Sequence, residues 1–137
     1  MTEQLGWEYR GRFMVLMDDR YERREVVTVR PGQEVVSIAR GGVMFDGDDE
    51  KMPAGTQFFG TVYVDPENGE QGRPALITVK YDRVKLPGHT ETLPVCVLGI
   101  NISVNTLNKD GSVTASNLME AGVRDFYPEW DYWRDPK

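Results

Sequence analysis

Short runs of apolar residues, each bounded by turn residues, recur along most of this chain. Three of them follow one another within residues 52–100, and each has the length of a β-strand and is rich in β-branched and aromatic side chains. That composition is typical of a sheet core. The pattern therefore predicts three consecutive strands, and residues 93–100, which are apolar at both parities, are predicted to form the most buried one.

The position of a residue within a strand predicts the face of the sheet on which its side chain lies, because successive side chains point to opposite faces. Even-numbered positions from Phe58 to Val64 share one face, and Gly60 among them predicts a bend or a close approach of another backbone. In the next strand the apolar positions change parity after Tyr81, so we expect a β-bulge near Asp82 and Arg83. The residues expected to be most deeply buried are Phe58, Val62, Ile77, Val79, Val95 and Val97.

Shorter strands are predicted before this region. Residues 13–17 form a continuous apolar run that suits a strand entering the core. Residues 25–30 and 34–39 are predicted to be two further strands joined by a turn at Pro31 and Gly32. Proline presets the backbone for the second position of a turn, and glycine accepts the positive φ of the third.

One segment near the C-terminus is predicted to be helical. Residues 116–122 combine good helix formers with an N-cap candidate, Thr114 or Ser116, and a glycine stop at Gly122. Elsewhere the predicted strands come at short spacing. Together these features predict an all-β fold: a single domain over residues 1–137, built as a small antiparallel β-barrel or sandwich with one short C-terminal helix and an aromatic tail.

Residues 123–137 form an aromatic and acidic C-terminal strap. Its aromatic residues lie close together and are interleaved with acids: Phe126, Tyr127, Trp130, Tyr132 and Trp133. Large amphipathic rings of this kind are enriched at binding hot spots. The strap either packs across its own barrel or docks on a neighbouring subunit or partner. Pro128 and Pro136 favour an extended conformation in both cases, because proline interrupts a regular helix or a central strand.

We favour self-association of the chain in which the strap takes part. The acids of the strap would then meet a cluster of arginines on a neighbour, Arg20, Arg23 and Arg24. Opposite charges favour such an encounter. The predicted partner-binding residues are therefore the five aromatic residues of the strap and these three arginines, and the expected partner is a protein or a second copy in a homo-oligomer.

Charge and composition narrow the function classes. The net charge is −6, and the arginines and lysines are scattered among acids, which gives no basic surface for nucleic acid. No apolar run approaches the ~20 residues that cross a bilayer, and the N-terminus lacks the basic and apolar regions of a signal peptide. We therefore expect a cytoplasmic protein with no membrane insertion and no nucleic-acid partner.

Candidate catalytic and metal-binding groups are few. The single cysteine, Cys96, is interpreted as a small core hydrophobe, and the single histidine, His89, as a surface residue in a turn. The acidic residues 46–50 lack the glycine and the bidentate glutamate that complete a calcium loop, and residues 108–112 are interpreted as a turn. We expect no metal, no cofactor and no enzymatic activity.

The central strands follow an ordered motif. Residues 52–62, Met-Pro-Ala-Gly-Thr-Gln-Phe-Phe-Gly-Thr-Val, precede a loop with Gly72 and Arg73, a strand at residues 77–81, a Pro-Gly turn and a further apolar strand. This order, over residues 43–100, resembles the P-x-G-T-x-x-x-G-x-V module of the TrbI-like β-barrel proteins of conjugation and type IV secretion machines. The resemblance implies a barrel and a non-enzymatic scaffold that assembles into rings.

The sequence leaves three functions open. The favoured one is a non-enzymatic protein-binding or assembly module, a scaffold, in a bacterial multiprotein complex. The alternative is a small-ligand or carbohydrate-binding β-barrel, because exposed tryptophan and tyrosine rings stack on the apolar faces of sugars as well as on proteins. An enzyme with catalytic carboxylates among the many acids is a third and less favoured interpretation.

Overall fold

A computed structural model describes residues 12–39, 54–65, 76–101 and 106–123 of the chain. Within these residues there are nine β-strands and no helix. The strands are β1 (Arg12–Leu16), β2 (Val26–Val29), β3 (Glu34–Ala39), β4 (Thr56–Asp65), β5 (Leu76–Lys85), β6 (Leu93–Asn101), β7 (Thr106–Leu107), β8 (Val113–Ser116) and β9 (Leu118–Val123).

Six of the strands form a closed antiparallel barrel in the order β1-β3-β4-β5-β6-β9, and the other three form a small sheet in the order β2-β8-β7. The barrel closes through β9, which pairs with β1 on one side and with β6 on the other. The inward side chains of the small sheet belong to the same buried cluster as the barrel interior: Val27, Val29, Val113 and Ala115. The all-β prediction is confirmed, and of the two predicted architectures, an antiparallel barrel or a sandwich, the structure shows the barrel.

The helix predicted at residues 116–122 is wrong. Ser116 ends β8, and the residues after Asn117 form β9. Burial alternates over residues 118–121 of β9, where Met119 and Ala121 are buried while Leu118 and Glu120 are partly exposed. Leucine, methionine, glutamate and alanine all favour helices intrinsically, but this preference is weak and tertiary context overrides it. Here the backbone pairing of β9 with β1 and with β6, which closes the barrel, outweighs the helix preference.

The core residues are those predicted. Phe58, Val62, Ile77, Val79, Val95 and Val97 all have 0% of their surface exposed. Aromatic rings fill the interior, with the ring of Phe58 stacked on that of Phe13 at 5.1 Å between centroids. On its other side Phe58 meets Tyr81 edge-on at 5.7 Å. In β6, Cys96 and Leu98 are also buried, so this strand is covered on both faces as expected.

The predicted irregularities of β4 and β5 are confirmed. The register between the two strands shifts at Phe59 and Gly60, and Asp82 on β5 is left without a paired residue on β4. A β-carbon on Gly60 would lie 2.6 Å from the carbonyl oxygen of Lys80 and 2.7 Å from the ring of Tyr81. Glycine is therefore required there by close approach of the neighbouring strand.

The predicted turns between strands are also found. Gly32 and Gly88 have φ values of 83° and 80°, as the third position of such turns requires. The strand predicted at residues 34–39 has the bounds of β3, and those predicted at residues 13–17 and 25–30 correspond to β1 and β2.

Candidate functional site

The three predicted arginines lie together on the segment that links β1 to β2. We call residues 18–25 the arginine loop. Arg20, Arg23 and Arg24 are all exposed on it. The five aromatic residues predicted to bind a partner, Phe126, Tyr127, Trp130, Tyr132 and Trp133, lie outside the described residues.

A buried asparagine anchors the first half of the arginine loop. The side chain of Asn117 accepts a hydrogen bond from the amide of Asp18 at 2.8 Å. Its amide group donates to the carbonyl oxygens of Asp18 at 3.0 Å, Tyr21 at 2.9 Å and Glu22 at 3.3 Å. Asn117 is completely buried, so its two hydrogen bonds to Asp18 are shielded from competing water.

The backbone of Asn117 ties down both ends of the same loop. Its carbonyl oxygen accepts from the amide of Met17 at 2.7 Å, and its own amide donates to the carbonyl oxygen of Glu25 at 3.0 Å. Asn117 is the single residue between β8 of the small sheet and β9 of the barrel. The arginine loop is therefore fixed to the junction of the two sheets.

Arg20 is used within the loop. Its Nε lies 3.0 Å from Oδ1 of Asp18 and its Nη2 lies 2.7 Å from Oδ2, a two-pronged pairing that fits guanidinium and carboxylate geometry. The hydrogen bond from the Arg20 side chain lowers the pKa of the Asp18 carboxyl. The guanidinium also lies 5.6 Å from the centroid of the Tyr21 ring. The prediction grouped Arg20 with the partner-binding residues, but its charge is already matched inside the loop.

Arg23 and Arg24 differ from Arg20. Both are exposed, and neither forms an ion pair with another residue in the described ranges. Next to them lie Tyr21, which is 38% exposed, and Val26, which is 66% exposed; these are the exposed large hydrophobic side chains of the described residues. Tyrosine and arginine are enriched where proteins bind one another. This surface, Tyr21, Arg23, Arg24 and Val26, is the candidate functional site.

The acidic turn after β7 is structural. Oδ1 of Asp110 accepts from the backbone amide of Ser112 at 3.0 Å and from its hydroxyl at 2.6 Å, and Oδ2 accepts from Arg30 at 2.6 Å. The Ser112 hydroxyl contributes most to lowering the pKa of Asp110 to about 2, and its backbone amide and Arg30 add to this. The prediction of a turn at residues 108–112 is confirmed. The acidic residues 46–50 lie outside the described ranges.

Other candidate chemical groups are also accounted for. His89 is exposed in its turn and Cys96 is buried, as predicted. Inside the barrel, the Ser37 hydroxyl donates to the carbonyl oxygen of Met17 at 2.6 Å and lies 2.6 Å from the Tyr81 hydroxyl. Since the single proton of Ser37 is engaged, Tyr81 donates to Ser37. Burial raises the pKa of Tyr81, which keeps this donor protonated.

Two familiar features, a metal site and a membrane-spanning helix, are absent from the ranges that the structure describes. No three histidine, cysteine or acidic side chains there are grouped so as to hold a metal ion. The same residues include no helix that is long and apolar enough to cross a membrane.

Comparisons with family models, curated proteins and solved structures found no match for this chain. The resemblance of residues 43–100 to TrbI-like barrels therefore stays an interpretation of the sequence. The anchoring role of Asn117 was missed by the sequence analysis, which placed this residue in a helix. No local pattern marks it, because its partners lie up to 99 positions away in the chain.

Proposed function

We propose that this protein is a non-enzymatic protein-binding or assembly module of a bacterial multiprotein complex, and that it self-associates. The observation that carries the proposal is the arginine loop, which presents Arg23 and Arg24 without ion-pair partners among the described residues, beside the exposed Tyr21 and Val26. The bacterial setting is supported by the resemblance to TrbI-like scaffolds alone.

The anchoring of the loop supports a role in binding. Ordering a flexible side chain or loop at an interface costs about 0.5–1.5 kcal/mol for each immobilised side chain. Asn117 and the pairing of Asp18 with Arg20 hold the loop in place before any partner arrives. Less ordering is then left to the binding step, and more of the interaction free energy appears as affinity.

The composition of the central part of the strap, between Arg124 and Arg134, supports a second copy as the partner. Residues 125–133 contain three acids and neither lysine nor arginine, together with the five aromatic residues predicted to bind. Acids would meet Arg23 and Arg24, and the rings would bury apolar area against Tyr21 and Val26. Charge complementarity mainly increases the rate and selectivity of association, while buried rings contribute most of the affinity.

The alternative of a ligand-binding barrel has less support. Phe13, Phe58 and Tyr81 occupy the barrel interior with their rings in contact. The barrel is thus filled in the manner of a small barrel whose interior is a packed core. Sugar binding would have to use rings on the outer surface, and Tyr21 is the exposed aromatic residue of the described ranges.

Light scattering across a concentration series tests the proposal. We expect the wild-type chain to gain mass with concentration, and Arg24→Glu to weaken association about tenfold or more, which corresponds to about 1.4 kcal/mol. Lys109→Glu is the matched control, because Lys109 is also exposed and the change in net charge is the same. A wild-type chain that stays monomeric at high concentration, or equal effects of the two variants, contradicts self-association through this loop.

A further inference from the structure

The strand β2 is at the outside of the small sheet. The order of that sheet is β2-β8-β7, so β8 covers one side of β2. Its four residues alternate, with Val27 and Val29 buried and Val26 and Thr28 exposed. The other side of β2 is an edge, and an edge presents backbone amide and carbonyl groups that can pair with another chain.

The hydrogen-bond pattern shows which residues of β2 present these groups. Val27 pairs with Ala115 in an antiparallel register, and the amide of Asn117 donates to the carbonyl oxygen of Glu25 in continuation of that register. In an antiparallel ladder, hydrogen-bonded pairs alternate with pairs that are not bonded. Val27 and Val29 therefore bond to β8, and the backbone groups of Val26 and Thr28 point to the open edge.

The pairing of β8 with β7, on the other side of β8, independently shows which residues of β8 bond to β2. The amide of Asn108 donates to the carbonyl oxygen of Ser112 at 2.8 Å, and Thr106 pairs with Thr114 in the same register. By alternation, the backbone of Thr114 bonds to β7 and not to β2. The side chains of Thr28 and Thr114 approach to 3.0 Å between their hydroxyl oxygens, as expected for a closely spaced, non-bonded pair.

The open edge is short and has defined ends. β2 begins at Val26, directly after a turn in which the amide of Glu25 bonds to the carbonyl oxygen of Glu22 at 3.1 Å. Beyond Val29, the outward amide of Arg30 bonds to the side chain of Gln33 at 2.9 Å, and its carbonyl oxygen accepts from the amide of Gln33 at 3.1 Å. Between these ends, no hydrogen bond from the described part of the chain reaches the outward groups of Val26 and Thr28. Two amides and two carbonyls remain for an added strand, the arrangement used in β-strand addition.

The charges beside the edge select the strand that can be added. Arg23 and Arg24 precede β2, are exposed and form no ion pair in the described ranges, while the exposed Glu25 beside them accepts a hydrogen bond from the amide of Glu22. If β2 paired with β2 of a second copy and used both open positions, Val26 would face Thr28, and Arg24 would face the Arg30 of that copy, which already pairs with its own Asp110 and offers Arg24 no acid. Like charges placed opposite each other are unfavourable. An acidic strand fits this edge better than a second β2.

The chain itself contains an acidic segment with strand-forming composition. Residues 129–133 read Glu-Trp-Asp-Tyr-Trp, without proline or glycine, and aromatic residues favour strands. The segment begins six positions after the end of β9 at Val123, a distance that extended chain covers over about 20 Å. We propose that residues 129–133 of one copy add as a β-strand to the open edge of β2 in a second copy. This inference rests on the proposed self-association and names its contact.

Proline substitution tests the edge directly. In Thr28→Pro the outward amide is lost, while the hydrogen bonds of Val27 and Val29 to β8 remain. Thr28→Val is the matched control, because it loses the same hydroxyl and keeps the amide. We expect Thr28→Pro to weaken self-association at least about tenfold in sedimentation experiments, and Thr28→Val to change it less than about threefold. Cooperative thermal unfolding of both variants is the control that shows each of them is folded.

Proline substitution in residues 129–133 tests the other side of the proposed contact. Asp131→Pro interrupts the added strand, and Asp131→Glu keeps both the amide and the charge. We expect Asp131→Pro to weaken self-association as much as Thr28→Pro does. An equimolar mixture of the two should associate at concentrations where each variant alone is monomeric, because one supplies an intact edge and the other an intact strap. A mixture that stays monomeric overturns the proposal. Association that Thr28→Pro abolishes and Asp131→Pro leaves unchanged also overturns it, in favour of edge-to-edge pairing.

Hydrogen exchange gives a readout within a single strand. On association, the amides of Val26 and Thr28 are expected to exchange at least about tenfold more slowly, while those of Val27 and Val29, already bonded to β8, change little. Unchanged exchange at Val26 and Thr28 in an associating wild-type chain overturns the strand-addition contact and leaves the proposed assembly function standing. A chain that never associates overturns both.

Discussion

Asn117 is the residue on which the position of the arginine loop depends. It is buried, and its side chain satisfies four backbone groups of residues 18–22. Buried polar groups stabilise a fold when every partner is in place, and they cost free energy when one is lost. The side chain is therefore important for both stability and the shape of the candidate site.

Replacing Asn117 by aspartate is expected to be more harmful than replacing it by alanine. Alanine removes the hydrogen bonds and should cost on the order of 3 kcal/mol. Aspartate keeps the acceptor for Asp18 but turns a negative oxygen towards three carbonyl oxygens, which repel it. Urea unfolding measures the difference. Trypsin should also cut faster after Arg23 and Arg24 in both variants. A loss below about 1 kcal/mol in either would contradict the anchoring role.

Asp110 should make stability depend on pH. Its pKa of about 2 in the fold lies below the ~3.9 of an unfolded aspartate, so its stabilising effect is present above about pH 4 and is lost as the pH falls towards 2. Asp110→Asn keeps an acceptor for Ser112 and removes the charge. Between pH 5 and 2, the melting temperature should therefore fall less steeply for the variant than for the wild-type chain. Parallel curves would show that Asp110 does not contribute.

At the scale of elements, β4, β5 and β6 depend on two glycines that face Tyr81. A β-carbon on Gly99 would lie 2.9 Å from the Tyr81 ring and would overlap the end of the Met119 side chain. One on Gly60 would meet the backbone of Lys80 as well as Tyr81. Tyr81 and its hydrogen bond to Ser37 thus fit between two strands that lack side chains at these points.

Gly60→Ala is expected to destabilise the protein by about 2–3 kcal/mol, because the backbone oxygen of Lys80 cannot move aside cheaply. Gly88→Ala is the control. Gly88 has a φ of 80° and nothing within 4 Å of an added β-carbon, so its cost is conformational strain of about 1 kcal/mol. Chemical denaturation of both variants separates the two effects. Equal losses would mean that the close approach at Gly60 is relieved by movement of β5.

Local patterns were enough to predict β3, β4, β5 and β6, because alternation of apolar residues directly reports which face is buried. The bulge at Asp82 and the approach at Gly60 were predictable for the same reason. The identity of β9 was not, since Leu118 to Ala121 are good helix formers and the ladders that make them a strand lie in distant segments. The candidate site was predictable in its arginines and not in its anchor, Asn117.

At the scale of the whole molecule, the barrel, the small sheet and the arginine loop meet at the junction of β8 and β9. β9 closes the barrel, β8 pairs with β2, and Asn117 between them holds the loop. The loop and the open edge of β2 are consecutive in the chain. A strap bound along that edge would therefore contact the arginines and the exposed Val26 together.

Removal of residues 127–137 separates the two ways in which the strap can bury its rings. If the strap packs on its own barrel, deletion should lower the free energy of unfolding by several kcal/mol at constant mass, because each large ring contributes about 2–3 kcal/mol. If the strap binds a second copy, the deleted chain should keep the melting temperature of the intact monomer and lose self-association.

We expect the second result, together with weaker association of the intact chain at 1 M salt, since screening reduces the attraction between the acids and Arg23 and Arg24. Melting of the deleted chain must be compared at a concentration where the intact chain is monomeric, because binding between copies also raises apparent stability. A deleted chain that matches the intact one in both melting temperature and mass would contradict any contact made by the strap.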